Sequence, residues 1–270
     1  MDKHIGFIGC GKMAQAMIEG MIKENLVHRE QISASAITEE TIVAMKEKLN
    51  ILMTNDNKAV AAKSDVLFLA VKPAQYENVI DEIKDAVRDT TIIVTIAAGI
   101  SLAVMEASFQ RPVKVVRTMP NTPSLVGEGM SALCPNTHLT AGDLHVIETI
   151  FNSFGKTEVI PEELMDAIPA VSGSSPAYAY MFIEAMADGA VQQGIPRKQA
   201  YNLAAQAMLG AAKMVLETGE HPGYLKDDVC TPGGATIAAV NTLEKSNFRG
   251  SIMQAMAACT AQSQALSKTK

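Results

Sequence analysis

Short runs rich in β-branched and aromatic residues, IGFIG, QISASA, DVLFLAV, TIIVTIA and VKVVRT, alternate with amphipathic stretches over the first part of the chain. Most of these runs are apolar throughout instead of alternating, so both faces of the strand they form ask to be buried. Strands of that kind separated by helices assemble into a parallel sheet covered on both sides. GMSALCP and GKTEVIP predict two further strands, with a helix around Ala141 to Phe154 between them. From about Glu162 the strand signal stops. The remainder of the chain reads as helices: one from Ala177 to about Gln193 closed by Gly194, one opened by Pro196 and closed by Gly219, and shorter ones to the end. The expectation is an α/β chain of two domains, a parallel-rich sheet over residues 1–161 and an all-α domain over residues 162–270.

Composition sets the class of partner. With 270 residues, 48% of them hydrophobic, the chain can bury an ample core. A formal charge of −6 without any Lys/Arg block argues against a nucleic-acid surface, which needs clustered positive charge to neutralise phosphates. The opening MDKHIGFIGCG lacks the basic segment and long apolar run of a secretory signal, and TIIVTIAAGISLAV is too short and glycine-interrupted to span a bilayer. A soluble cytoplasmic protein is expected, with no membrane partner. Cys10, Cys134, Cys230 and Cys259 stand far apart with no C-x-x-C pair, and the five histidines match no metal-ligand spacing, so reduced thiols and no metal site are expected. Frequent Ala and Met in the later helices suit close packing, either within one chain or against another subunit.

HIGFIGCGKMAQAMIEG carries Gly9-x-Gly11-x-x-Ala14 directly after the first strand and at the opening of a helix. A tight turn, a bare backbone and a small third residue let a pyrophosphate sit against the helix N-terminus, where free N–H groups and the dipole favour anions. Gly6 to Lys12 also fits G-x-x-x-x-G-K, the start of a triphosphate-binding loop. Position 13 is Met, however, so the hydroxyl that such a loop needs for Mg²⁺ is missing, and Gly6 falls inside the strand. A dinucleotide is the better ligand.

At the end of the second strand a carboxylate would select NAD by bonding the ribose hydroxyls and repelling a 2′-phosphate. Here the strand runs out as SASAITEE, with Ser35, Ala36 and Thr38 and no carboxylate before Glu39, which leans toward NADP; without an Arg at that point NAD stays compatible. AVKPAQ, IAAGIS and RTMPNTPS each follow a predicted strand, on the carboxyl edge where open α/β sheets bind ligands. Singly each is ordinary turn chemistry; together they favour a cleft.

In the helical part, DDVCTPGGATIAAVNTLEK runs from a threonine, a proline and two glycines into an apolar pattern at helical spacing. The turn exposes several N–H groups beside hydroxyls, which suits a small anion. The alternative is that Thr231 is an N-cap with Pro232 at the first helical position. Capping accounts for Thr231 well and for Gly233-Gly234 poorly, since two glycines early in a helix cost stability.

Taken in order, IGFIGCGKMAQAMIEG, DVLFLAVKP, IAAGIS, MPNTP, SGSSPAYAY, ADGAVQQGIPR and HPGYLKDDVCTPGGATIAAV resemble the pyrroline-5-carboxylate reductase family over essentially the whole chain. The resemblance implies a Rossmann-like N-terminal domain, a helical C-terminal domain that intertwines with a second subunit in a homodimer, open to further assembly of dimers, and hydride transfer from NAD(P)H. It implies a cofactor phosphate around Gly9, Cys10, Gly11, Lys12 and Met13, with Ser35 and Asn57 toward the adenosine half. Ala70, Val71, Lys72 and Pro73, then Ala97, Ala98 and Gly99, would line the path to the nicotinamide. Thr231, Gly233, Gly234 and Ala235 would hold the carboxylate of 1-pyrroline-5-carboxylate, and Thr236 its ring nitrogen. Glu162 matches an acidic position associated with substrate; its plainer reading is a first-turn helix acid. Ser175 stands where the family commonly has glycine.

Rival readings are weaker. A β-hydroxyacid dehydrogenase joins a similar pair of domains but uses a catalytic lysine after a glycine-rich turn, and SGSSPAYAYMFIEAMADG contains none. A nonenzymatic NADP-binding protein would predict a degraded second site, whereas TPGGAT is intact. A related six-membered cyclic imine remains an alternative substrate.

Overall fold

The structure is a computed structural model describing residues 1–268, with side chains considered up to residue 265. Contacts divide it into two compact units, residues 1–174 with 259–270, and residues 175–258.

Unit 1 is built on one eight-stranded sheet: β1 (Ile5–Ile8), β2 (Ile32–Ser35), β3 (Leu52–Thr54), β4 (Val66–Leu69), β5 (Ile92–Thr95), β6 (Lys114–Met119), β7 (Gly129–Pro135) and β8 (Gly155–Val159). Their order is β3-β2-β1-β4-β5-β6-β7-β8, parallel throughout except between β6 and β7. Every residue of β1, β4 and β5 is buried, as their unbroken apolar runs require. β3 has no counterpart in the predicted strands. It is a three-residue edge strand in which only Met53 is buried, too short to print a period.

Each face of the sheet has its own core. On one, α1 (Lys12–Lys23), α2 (Glu39–Leu49) and α6 (Ala141–Asn152) cover Phe7 and Phe68, whose rings stack at 4.6 Å and continue to Phe151 and Phe154. Truncating one such fully buried ring would cost roughly 3–5 kcal/mol. On the other, α3 (Asn57–Lys63), α4 (Tyr76–Ile83) and α5 (Leu102–Phe109) cover Leu67, Leu69 and Ile93. α1 shows why its sequence makes a helix: Ala14, Met17, Ile18 and Met21 fall three and four apart on the buried side, and Lys23 complements the carboxyl end. Its Gly20 is needed because a methyl there would stand 2.6 Å from Cβ of Phe154. The segment after β8 holds a 3-10 turn (Glu162–Leu164) and a wider π turn (Pro169–Gly173).

Unit 2 is wholly helical: α7 (Ser175–Gln192), α8 (Arg197–Thr218), α9 (Pro222–Val229), α10 (Ala235–Lys245) and the first part of α11 (Phe248–Lys268). α7 starts two residues before the predicted Ala177. Gly194 (φ +93°) and Gly219 (φ +66°) end α7 and α8 in the left-handed conformation that glycine adopts without penalty. Within α7 and α8 only Ala187, Ala200 and Ala204 are buried, while Met181, Leu203, Leu209 and Leu216 stand exposed. No described helix is long and apolar enough to cross a membrane.

Candidate active site

β1 lies where the strand order reverses, between β2 and β4, so the loops at its carboxyl end part to leave a crevice. A cavity of about 350 Å³ opens there. Gly9, Cys10 and Gly11 form its floor, Ser35 and Asn57 lie toward one end, and Ala70, Val71 and Lys72 form the opposing wall. Eight of the predicted cofactor residues thus share one cleft. Lys12 and Met13 are the first two residues of α1 behind it, and Pro73 opens the 3-10 turn that follows Lys72.

Gly9 has φ +92°, and a methyl there would lie 2.7 Å from the Ala70 carbonyl oxygen. Only glycine lets β1 turn this close to the end of β4. Gly11 is different: its φ is −74°, nothing lies within 4 Å of a methyl placed on it, and it is the N-cap of α1 without a capping side chain or a first-turn acid. The bare N-terminus of a twelve-residue helix facing a cleft fits the pyrophosphate of a dinucleotide.

The turn is held from behind. Gln15 donates from Nε2 to the Cys10 carbonyl at 3.1 Å, and Lys48 of α2 donates to Gln15 Oε1 at 3.0 Å. Gly9 donates its N–H to the Ser35 carbonyl at 3.1 Å. The Ser35 hydroxyl is buried beneath the turn, within 3.5 Å of the Phe7 carbonyl and 3.4 Å of the Gly9 N–H. Asn57 donates to Glu82 at 2.8 Å. Burial pushes the Cys10 thiol up to about 11 against the lowering influence of Lys48, so it stands in the floor as a neutral group.

Ala97, Ala98 and Gly99 border a separate, narrow crevice of about 10 Å³, shared with Arg117, Thr118 and Met119 of β6 and with Met165. Beneath it Tyr76 donates its hydroxyl to the Leu69 carbonyl at 2.6 Å and accepts from Thr95 at 2.8 Å, tying the ends of β4 and β5 together. Arg117 is buried, and it pairs with Glu162 at 3.4 Å and Asp166 at 2.6 Å. Neither Arg117 nor Tyr76 is among the residues expected from sequence. Arginine inside an otherwise apolar strand run was the available signal, because a buried guanidinium demands carboxylate partners, and Glu162 and Asp166 supply them at a spacing of four. The larger cavity between α4 and α5, about 670 Å³, shares only Pro73 with the predicted residues. Among the described residues no cluster of His, Cys, Asp and Glu is arranged to hold a metal ion.

In unit 2 the Thr231–Gly234 turn closes on itself through the Gly234 N–H and the Thr231 carbonyl at 3.0 Å, with Gly233 at φ +70°. α10 begins at Ala235 and its N-cap is Gly234, which has no side chain to offer. The capping alternative for Thr231 is therefore corrected: Thr231 lies three residues before the cap, and Pro232 is not the first helical position. A methyl on Gly234 would meet the Thr231 hydroxyl at 2.3 Å, which explains why this position is bare. Ala235 and Thr236 are the first two helical residues, the first exposed and the second half-buried.

Comparison with known proteins adds the family. Residues 162–266 match a profile for pyrroline-5-carboxylate reductase dimerisation, and residues 4–99 one for NADP oxidoreductase, coenzyme F420-dependent. Among solved structures, a pyrroline-5-carboxylate reductase from Coxiella burnetii superposes with a TM-score of 0.93 at 33% identity over 99% of both chains. The pyrroline carboxylate reductase of Plasmodium falciparum with NADP bound gives 0.88 at 31% identity over 98% of both. The pyrroline-5-carboxylate reductase of Escherichia coli strain K12 is 45% identical over 269 residues, the full length of both proteins. A likeness of that depth, reaching without a gap in coverage from the dinucleotide turn to the last helix, places this chain in the pyrroline-5-carboxylate reductase family.

Proposed function

We propose that the protein reduces the C=N bond of 1-pyrroline-5-carboxylate with NADPH to give L-proline, the closing step of proline synthesis, with NADH as an accepted second donor. The observation that carries the reading is the presence, in one member of this family, of a bare helix N-terminus in the α1 cleft and of a second one at α10. NADPH bound in the cleft supplies the hydride. Gly9, Cys10, Gly11, Lys12 and Met13 would surround its pyrophosphate, Ser35 and Asn57 the adenosine half, and Ala70, Val71, Lys72, Pro73, Ala97, Ala98 and Gly99 the nicotinamide path. This reading is supported by the open face of Gly11 and by the positive φ of Gly9.

The chain's own contribution is orientation. The uncapped amides that open α10, beside Gly233 and Gly234, would take the substrate carboxylate, which suits the positive end of a helix. Thr231 would add a hydroxyl. Thr236 would bond the ring nitrogen, holding the imine carbon for hydride addition while nitrogen gains its proton from Thr236 or water. The functional boundary is proposed at Pro161, with residues 1–161 for the cofactor and 162–270 for substrate and dimerisation, in line with a dimerisation profile that starts at residue 162. A cytoplasmic homodimer is proposed, supported by the exposed apolar side chains of α7 and α8.

The test is steady-state oxidation of NADPH and of NADH with racemic 1-pyrroline-5-carboxylate and with its six-membered homologue, on the wild type and on Thr236→Ala. Rapid turnover of the five-membered ring, with kcat/KM lowered and cofactor affinity kept in Thr236→Ala, is expected. No turnover of either imine with cofactor binding intact would sink the substrate assignment and leave the dinucleotide cleft standing.

A further inference from the structure

Glu162 reaches back sixty residues to the start of α5. Its Oε1 accepts the Leu102 N–H at 2.7 Å and lies 3.4 Å from the Arg117 guanidinium. Leu102 is the first residue of α5; Ser101, its N-cap, accepts the Val104 N–H at 3.2 Å. The start of this helix is therefore fixed twice, locally by Ser101 and from a distance by Glu162. Arg117 extends the tie, since its side chain is only 8% exposed and its other terminal nitrogen donates to Asp166 at 2.6 Å. Carboxylate and guanidinium together join the Glu162–Asp166 segment, β6 and the α5 N-terminus.

Ala97, Ala98 and Gly99 precede that N-terminus with only Ile100 and Ser101 between, and Arg117 borders the same narrow crevice as they do. Gly99 has φ +77°, the Ala97 N–H reaches Thr95 Oγ1 at 3.4 Å, and the Ile96 and Ala97 backbones also bond the Tyr76 hydroxyl. Upstream the turn is held through Thr95 and Tyr76, and its downstream anchor is the start of α5. A role for Glu162 as a direct substrate ligand fits poorly with this arrangement. Its Oε1 already accepts two donors, and a carboxylate set against a carboxylate substrate would repel it.

We propose that Glu162 is a positioning residue for the cofactor: through the Leu102 N–H and Arg117 it fixes the Ala97–Gly99 turn on which the nicotinamide rests. The inference rests on the assignment of that turn to the nicotinamide path. Two variants separate reach from charge. Glu162→Gln keeps an acceptor oxygen at the same reach and removes the charge; Glu162→Asp keeps the charge and withdraws the oxygen by one methylene.

The readouts are the NADPH dissociation constant by calorimetry, KM for each substrate, and Tm. For positioning, Glu162→Asp is expected to weaken NADPH about tenfold, the size of one lost charge-assisted hydrogen bond, while Glu162→Gln stays within about threefold. KM for the imine should stay within about twofold in both, because the carboxylate-holding turn is not touched. Phe109→Leu, at the far end of α5, is the control for plain loss of stability; it should lower Tm and leave NADPH affinity alone. A raised imine KM with unchanged NADPH affinity in both variants would overturn the proposal in favour of a substrate ligand. Glu162→Gln as damaging as Glu162→Asp, or equal damage from Phe109→Leu, would overturn it as well. Calorimetry with NADPH needs no turnover, so a wild type inactive on the imine would fail the proposed reaction and leave this test running.

Discussion

Gly9 and Gly11 belong to one fingerprint yet carry different physical duties, and two alanine substitutions separate them. At Gly9 an alanine meets two penalties. Its left-handed φ costs an L residue about 1–2 kcal/mol. The methyl, 2.7 Å from the Ala70 carbonyl oxygen and 3.0 Å from a Val71 methyl, adds about 1–3 kcal/mol of overpacking against backbone that cannot swing away. Together these make about 2–5 kcal/mol, or a fall in Tm of roughly 5–20 °C for a unit of this size. Gly11→Ala meets neither penalty, because φ is ordinary and the space around it is open. It costs only the preference of an N-cap for glycine over alanine, about 0.5 kcal/mol, and Tm should move by no more than about 2 °C. On the proposed placement, however, its methyl would stand on the face toward the pyrophosphate, and NADPH affinity should drop at least about tenfold, or 1.4 kcal/mol. The chain has no tryptophan, so the enhancement of NADPH fluorescence can be read against a dark protein background. Scanning calorimetry of the cofactor-free protein supplies Tm. Gly11→Ala with an NADPH dissociation constant within twofold of wild type would refute the placement of the pyrophosphate at this turn. Gly9→Ala with an unchanged Tm would refute the steric argument.

Burial raises Tyr76 from about 10 to about 12 against the lowering effect of its Thr95 hydrogen bond, so the unfolded chain ionises first. Its stabilising contribution is complete below pH 10 and is lost as pH climbs to 12, about 2–3 kcal/mol in all. The difference in urea-unfolding free energy between wild type and Tyr76→Phe should shrink across that window; a constant difference would contradict a buried phenol. Leu216 is 83% exposed on α8, where a substitution in a lone chain should change stability by less than about 0.5 kcal/mol. In a symmetric dimer the same change strikes twice, and Leu216→Glu should raise the dissociation constant roughly a hundredfold or more by sedimentation; an unaltered oligomer would take Leu216 out of the interface.

The sheet was legible because its strands are buried on both faces, a condition that leaves a continuous apolar run in the sequence. IGFIG, DVLFLAV and TIIVTIA fall on β1, β4 and β5. β3 escaped because three edge residues with one buried side chain carry no period at all. The dinucleotide turn was legible for a different reason: glycine is demanded by backbone geometry, and geometry of that kind is local. Arg117 left a single local signal, a cation inside an apolar run, but its partners at positions 162 and 166, like those of Tyr76 at 69 and 95, are set by the fold. The Thr231 turn shows the limit from the other side. Its residue types suit an N-cap three positions too early, and only the backbone angles of Gly233 and Gly234 decide where the helix starts.

The two units differ in how much of their own sequence they explain. In unit 1 the apolar strand runs find buried places, and some exposed exceptions, such as Ile37 at the cleft and Leu52 on the edge strand, have a local reason. In unit 2, helices of 18 and 22 residues bury one and two alanines respectively and leave long aliphatic side chains uncovered. A helix that hides so little gains only part of its order from packing on its neighbour, because isolated helices of this length are marginal in water and gain their stability from packing an apolar face. The exposed aliphatic side chains are in keeping with the dimerisation profile that residues 162–266 match. The helices could be bounded from sequence by Gly194, Pro196 and Gly219, whereas the faces they turn to solvent could not, because so few of their residues are buried to mark a period.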